Sequence, residues 1–160
     1  MILGIGIDSA EIERFLDWDK FTHRQLLKFF SQREIDYCTS IPAKSAERFA
    51  ARFAAKEALY KALSNLRPQK PFLLLTVAKK CEIYQETDTA PSMRIDWTFF
   101  ISTFFPHLKT APIAHLSITH TRAIATVCII LESKSDYLLT KNKKSVLLPV
   151  QKRISIRYCK

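Results

Sequence analysis

The chain has 160 residues, 48% hydrophobic and 25% charged, which suits one domain built on a single core. Its 25 Lys and Arg against 15 Asp and Glu give a formal charge of +10. Eight of those bases, with a single acid, fall in residues 133–160, so the surplus describes the C-terminal end more than any site. Four scattered cysteines with no CxxC pair argue against a zinc cluster or a disulfide framework and point to a reducing cytoplasm, and no apolar run is long enough to cross a bilayer.

Residues 1–8 read as a β-strand, with Leu3, Ile5 and Ile7 on one face and Ile2, Gly4, Gly6 and Asp8 on the other. This apolar run has no basic leader and stops at Asp8, so it is not expected to be a signal peptide. Gly4 and Gly6 are the only glycines in the chain. Glycine weakens a strand, so that face is expected to meet either the backbone of a helix or a ligand at close range. Ser9 has the chemistry of a helix cap, and a helical segment starting at residues 11–15 continues to about Phe30 in two pieces. Ser31 and Glu34 have the spacing of a capping box opening a short helix through Tyr37. A loop with Pro42 covers residues 39–44. Residues 45–63, rich in Ala, Lys, Glu and Leu and free of Gly and Pro, are the clearest helix, with Phe49, Phe53, Glu57 and Lys61 on one row along it.

Beyond Pro71 the pattern turns strand-like at residues 72–77 and 81–85, with a third candidate at 93–102 and a polar turn at 87–92. Residues 97–108 suit a helix or a strand, because short apolar runs do not reveal their period. Residues 114–119 and 123–131 form two strands joined by a turn at 120–122. The end of the chain alternates basic and apolar residues, as a loose arm or an added edge strand would.

Three groups carry chemistry. Asp8 ends an apolar strand, where a carboxylate must cap a helix, pair with a cation or ligate a metal. Glu57 and Lys61, four residues apart on the best helix, are an ordinary ion pair or part of a site. His115, Ser117, Thr119 and His120 crowd the hairpin, with the two histidines on opposite faces and so not spaced as a metal pair.

The segments GIGID (4–8), EIER (11–14), FSQRE (30–34), RFAARFAAKEALYKAL (48–63) and HLSITHT (115–121), in this order and spacing, resemble the acyl-carrier-protein synthases, the small bacterial phosphopantetheinyl transferases. The resemblance implies an α+β fold of the 4′-phosphopantetheinyl transferase type: an antiparallel sheet packed with helices, with one long central helix at about 45–63. It covers residues 1–132 as the transferase domain and leaves 133–160 as a basic C-terminal extension. It implies magnesium-dependent transfer of 4′-phosphopantetheine from coenzyme A to a serine of apo acyl carrier protein, releasing adenosine 3′,5′-bisphosphate, in the cytoplasm and in fatty acid biosynthesis. Asp8 and Glu57 match the metal ligands, with Glu57 the candidate base. Lys61 matches the lysine facing the cofactor phosphates. His120, Arg52 and Lys44 match further cofactor contacts, and Arg14, Arg24, Lys28 and Phe53 match the surface that grips the acidic helix of the carrier. Magnesium suits such a site, since it takes few protein carboxylates together with water and substrate phosphates. The resemblance also implies a homotrimer with active sites shared between subunits.

Two departures stand out. Ser64, Asn65 and Leu66 replace a Gly-Thr-Gly turn, where Asn65 tolerates a left-handed conformation less readily than Gly, and residues 87–92 replace a Gly-Lys-Pro turn. Two other readings stay open: a non-catalytic homologue that binds the carrier or coenzyme A, and a nucleic-acid binder driven by the basic extension. The bases of that extension alternate with Leu, Val and Ile and not with stacking aromatics, so nucleic acid is the weaker partner.

Overall fold

Strand β1 (Ile2–Glu11) runs past the expected end at Asp8 because Ser9, Ala10 and Glu11 go on pairing with Thr126, Ala125 and Ile124. Ser9 is therefore a strand residue, its hydroxyl bonded to that of Thr126 at 2.9 Å, and not a helix cap. The computed structural model of the protein describes residues 1–86 and 89–134. The stretch to Phe30 is broken into three short pieces, not two: 3-10 turns at Ile12–Phe15 and Trp18–Lys20, then α1 (His23–Leu26), opened by a capping box between Thr22 and Gln25. Helix α2 (Gln32–Thr39) starts at the Ser31–Glu34 capping box that the spacing predicts. A 3-10 turn at Pro42–Lys44 leads into α3 (Ser45–Ser64), which runs 20 residues without a helix breaker.

The expected strand at 72–77 is a correction: the segment is helix α4 (Leu74–Lys79), which buries Val77 and Ala78 as it packs against α3. Strands β2 (Cys81–Tyr84) and β3 (Ser92–Ile95) pair antiparallel as a separate two-stranded sheet. Residues 97–108 take the helical option in α5 (Trp97–Thr103), whose start is fixed by the Asp96 carboxylate accepting the N–H of Phe99 at 3.0 Å. The closing hairpin is β4 (Ile113–His120) and β5 (Ile124–Glu132). The turn expected at 87–92 lies partly outside the described residues, and residues 135–160 of the basic extension lie wholly outside them.

The main sheet has the order β1-β5-β4, all antiparallel. One face packs on α3 and carries the rows Gly4–Leu131–Ala114, Gly6–Ile129–Leu116 and Asp8–Val127–Ile118. The two glycines have a steric cause. A Cβ on Gly6 would overlap the carbonyl oxygen of Ala58, and one on Gly4 would overlap that of Ala62. Strand and helix thus touch backbone to backbone, and the helix side of the contact is lined with buried Ala51, Ala54, Ala55, Ala58 and Ala62. Of the two options for this face, helix packing holds, and its consequence is to carry Asp8 against α3.

Candidate active site

Asp8 is the last polar side chain on the glycine face of β1 and is 9% exposed. The row Phe49, Phe53, Glu57, Lys61 runs along α3 from the core outwards: Phe49 is fully buried, Phe53 and Glu57 half-buried, Lys61 exposed. Close approach of β1 and α3 sets Asp8 beside the outer end of that row. Lys61 does not pair with Glu57 along its own helix. Its Nζ lies 2.8 Å from Asp8 Oδ1 and donates to the carbonyl of Ile7 at 3.0 Å. Glu57 instead faces Asp8. Burial first, then a hydrogen bond to Asp8 and the charge of Asp8, raise the Glu57 pKa above its ordinary value, against the pull of Lys61 and Arg14. A hydrogen bond between the two carboxyls needs a proton on one of them. With both ionised, the buried Oδ2 of Asp8 has no donor at all.

Two facing carboxyls, one with an orphaned buried oxygen, form a donor set that lacks a cation on one side. Hard oxygen ligands from two elements are the donor chemistry that magnesium takes, together with water and phosphate oxygens. Among the described residues no group of three or more His, Cys, Asp or Glu is placed to hold a metal.

The edge of the sheet gives a different role to Asn65, which the sequence marks only as a turn residue. Among the described residues β1 is an outer strand of the sheet, and the N–H of Ile5 and the C=O of Ile7 point away from β5. Lys61 meets the latter, and Asn65 Oδ1, one turn further along α3, accepts from Ile5 N at 3.1 Å. Asn65 has φ −73° and is right-handed; the left-handed residue after the helix is Arg67, φ 53°.

A missed residue is Lys56, fully buried next to Glu57. Its ammonium is 2.9 Å from Glu34 Oε2 and donates to the carbonyls of Ala78 and Cys81 at 2.8 and 3.1 Å. Glu34 also accepts from Ser31 N and Ile83 N at 2.8 and 2.9 Å. Every donor of the lysine is used, the condition under which a buried ion pair is tolerable. It ties α2, α4 and β2 to the turn of α3 that carries Glu57. The signal was present: Lys56 shares a stripe with the apolar Phe49, Leu59 and Leu63, where a base demands a buried acid.

The remaining candidates are not gathered at Asp8. His120 lies on the same sheet face, but in the row of Ala10 and Ala125, two strands across and two residues along, on the order of 10 Å from Asp8. Its Nε2 is 3.4 Å from Glu47. With Arg48 and Arg52 it lines a cleft of about 180 Å³. Arg48 and Arg52 both stack on Tyr37, at 4.1 and 3.9 Å, and the buried Arg52 Nε has no partner. Lys44 is exposed at the start of α3, outside this lining. Arg14, Arg24 and Lys28 are exposed but do not share one helical face: Arg14 is on the first 3-10 turn, Arg24 on α1 and Lys28 beyond it. Phe53 joins an aromatic cluster, its ring 4.8 Å from Phe29 and 5.4 Å from Phe15.

This geometry can be set beside known proteins. The holo-[acyl-carrier-protein] synthase of Koribacter versatilis is 35% identical over 142 residues, covering 82% of this chain and 99% of the relative. The crystal structure of a holo-(acyl-carrier-protein) synthase from Bacillus anthracis, in complex with CoA (3′,5′-ADP), superposes with a TM-score of 0.61 at 25% identity, over 83% of this chain and 98% of that one. The Helicobacter pylori holo-[acyl-carrier-protein] synthase in complex with coenzyme A superposes with a TM-score of 0.58 at 25% identity, over 80% and 99%. The description 4′-phosphopantetheinyl transferase superfamily matches residues 4–128, a span that contains Asp8, Glu57, Lys61 and His120, and the chain belongs to that superfamily.

Proposed function

We propose that this chain transfers 4′-phosphopantetheine from coenzyme A to a serine hydroxyl of an apo acyl carrier protein and releases adenosine 3′,5′-bisphosphate. The observation that carries this reading is the meeting of Asp8 and Glu57, with one buried carboxylate oxygen left unpartnered and Lys61 beside them. Mg²⁺ bound between Asp8 and Glu57 would neutralise charge on the pyrophosphate of coenzyme A. Glu57, beside Asp8, is the base that takes the serine proton as the serine oxygen bonds to the phosphorus bearing pantetheine. The bond from that phosphorus to the nucleotide side breaks, and the electron pair leaves with adenosine 3′,5′-bisphosphate. Lys61, exposed and one turn beyond Glu57, sets its positive charge against the oxygen where charge collects.

Arg52, His120 and Lys44 are assigned to the nucleotide end of coenzyme A. Two guanidiniums on one tyrosine ring and an unpaired buried Nε favour an anion there. Arg14, Arg24, Lys28 and Phe53 are assigned to the carrier, which the exposed bases suit as an acidic partner. The outer face of the main sheet leaves Ile5, Ile7 and Ile124 uncovered, which supports self-association, and the separation of His120 from Asp8 within one chain supports sites completed by a neighbouring copy in a homotrimer. Cytoplasmic work in fatty acid biosynthesis accords with free Cys38, Cys81 and Cys128; among the described residues no helix is long and apolar enough to cross a membrane. The transferase unit is residues 1–132, with 133–160 a basic extension outside it.

The test is incubation with coenzyme A, Mg²⁺ and apo carrier protein, followed by weighing the carrier. A phosphopantetheine mass gain is expected, and Asp8→Ala or Glu57→Ala is expected to abolish it. No gain from a folded protein sinks the reading. A chain ending at Lys134 that lost the gain would refute the domain assignment.

A further inference from the structure

We infer that Asn65 is a positioning residue of the site: by accepting the N–H of Ile5 it fixes how far β1 is slid along α3, and so sets Asp8 opposite Glu57. The inference rests on the carboxylate-pair reading above. Beyond its pairing with β5, which itself packs on α3, β1 meets the helix in two ways. The backbone contact of Gly4 and Gly6 with Ala62 and Ala58 fixes the distance between strand and helix. Van der Waals contact between backbones is weakly directional, so sliding of β1 along α3 is resisted by its pairing with β5 and by directional bonds at its outer edge. Among the described residues the outer edge of β1 meets two such bonds, one from α3 and one from the residue that caps it. Lys61 bonds the Ile7 carbonyl and Asp8 Oδ1, and Asn65 bonds the Ile5 N–H.

These two ties have different fates. Lys61 is half-exposed, and in the proposed reaction its ammonium must turn to an anion. Doing so loosens its hold on Ile7 and Asp8 at the moment when Asp8 and Glu57 must share one ion. The bond from Asn65 is out of the reaction's way, three residues or roughly 10 Å up the strand from Asp8, and a β-strand is stiff over that length. It also satisfies an edge N–H that no strand among the described residues pairs. Asn65 therefore touches neither ion nor substrate and acts through the placement of Asp8.

The experiment is Mn²⁺ binding to the full-length protein, followed by calorimetry and by the electron-spin signal of free Mn²⁺, near 0.15 M salt, for wild type, Asn65→Ala, Asn65→Asp and Asp8→Asn. Loss of an outer residue that orients a ligand weakens metal affinity by about 10–100-fold. Asn65→Ala is expected near the lower end of that range, while Asn65→Asp, which keeps an acceptor for Ile5 N–H, stays within about 3-fold of wild type by the same scale. Faster amide exchange at Ile5 in Asn65→Ala, with an unchanged unfolding midpoint or a lowered one, accompanies the loss. If Asn65→Ala binds Mn²⁺ as wild type does while Asp8→Asn does not, the inference is overturned and the carboxylate-pair reading stands. If Asp8→Asn also binds as wild type does, both fall.

Discussion

Lys61 Nζ lies 2.8 Å from Asp8 Oδ1, so the cation that α3 brings to the site is already engaged by the strand opposite. Replacing it with methionine removes a charge from the reaction and a partner from a buried carboxylate. Lys61→Met is expected to slow carrier modification by about 10²–10³-fold, the usual effect of losing one group that stabilises developing charge. Its cost in stability is smaller, about 1 kcal/mol, because the lysine is half in solvent. Time courses of carrier mass and urea unfolding measure the two separately. A variant that unfolds early but keeps its rate would make Lys61 a strap and nothing more.

Glu57 is strained in the opposite sense. Its raised pKa means that the folded, metal-free protein holds a proton that the unfolded chain gives up, so stability falls as pH climbs from about 4.5, its ordinary value, through the raised one. Glu57→Gln keeps the shape and removes the titration. It is expected to abolish transfer while raising the melting temperature of the metal-free protein at pH 7 by roughly 1–3 °C, a modest gain because the group is partly solvated. The gain disappears at acid pH. Melting curves in chelator across pH check this, and a variant that melts below wild type at pH 7 contradicts it.

Gly6→Ala tests the backbone contact. The new methyl group would occupy the place of the Ala58 carbonyl oxygen, so strand or helix must move. Overpacking of this kind costs about 1–3 kcal/mol, and more where backbone is the obstacle. Urea unfolding is expected to show at least that loss, and transfer falls further than stability because Asp8 is two residues away on the same face.

The buried pair Lys56–Glu34 makes a prediction about coupling. Lys56→Met leaves Glu34 charged and buried, which costs about 3–5 kcal/mol. Lys56→Met combined with Glu34→Gln removes the stranded charge, so the double variant is expected to lose less than the sum of the single losses. A double-mutant cycle by chemical denaturation reads this directly, and simple additivity would argue against a coupled pair.

Much of the site was legible because its residues violate local preference: an acid closing an apolar strand, glycines inside that strand, an acid on a half-buried helical row. Those conflicts have few physical resolutions. The long helix and the Ser31 capping box were legible for a different reason, since propensity and cap chemistry agree there. Residues 72–77 were misread as a strand because an apolar run of that length carries no period, and only packing on α3 decides it. Ser9 looked like a cap until its cross-strand neighbour Thr126 was in place. Asn65 stands out in the sequence only as a replacement for a turn glycine; its bond to Ile5 was not legible, because that partner is a backbone N–H sixty residues away and backbone groups leave no mark on the amino-acid pattern.

The two glycines and the alanines they touch are one object written in two places in the gene. Neither half can grow alone: a larger residue at 58 or 62 presses outward from the helix that the strand needs close, and a methyl on the strand pushes the same seam apart. Anyone redesigning this enzyme for another carrier has wide freedom on the exposed surface and none along this line, where the width of a single peptide plane is the tolerance of the chemistry.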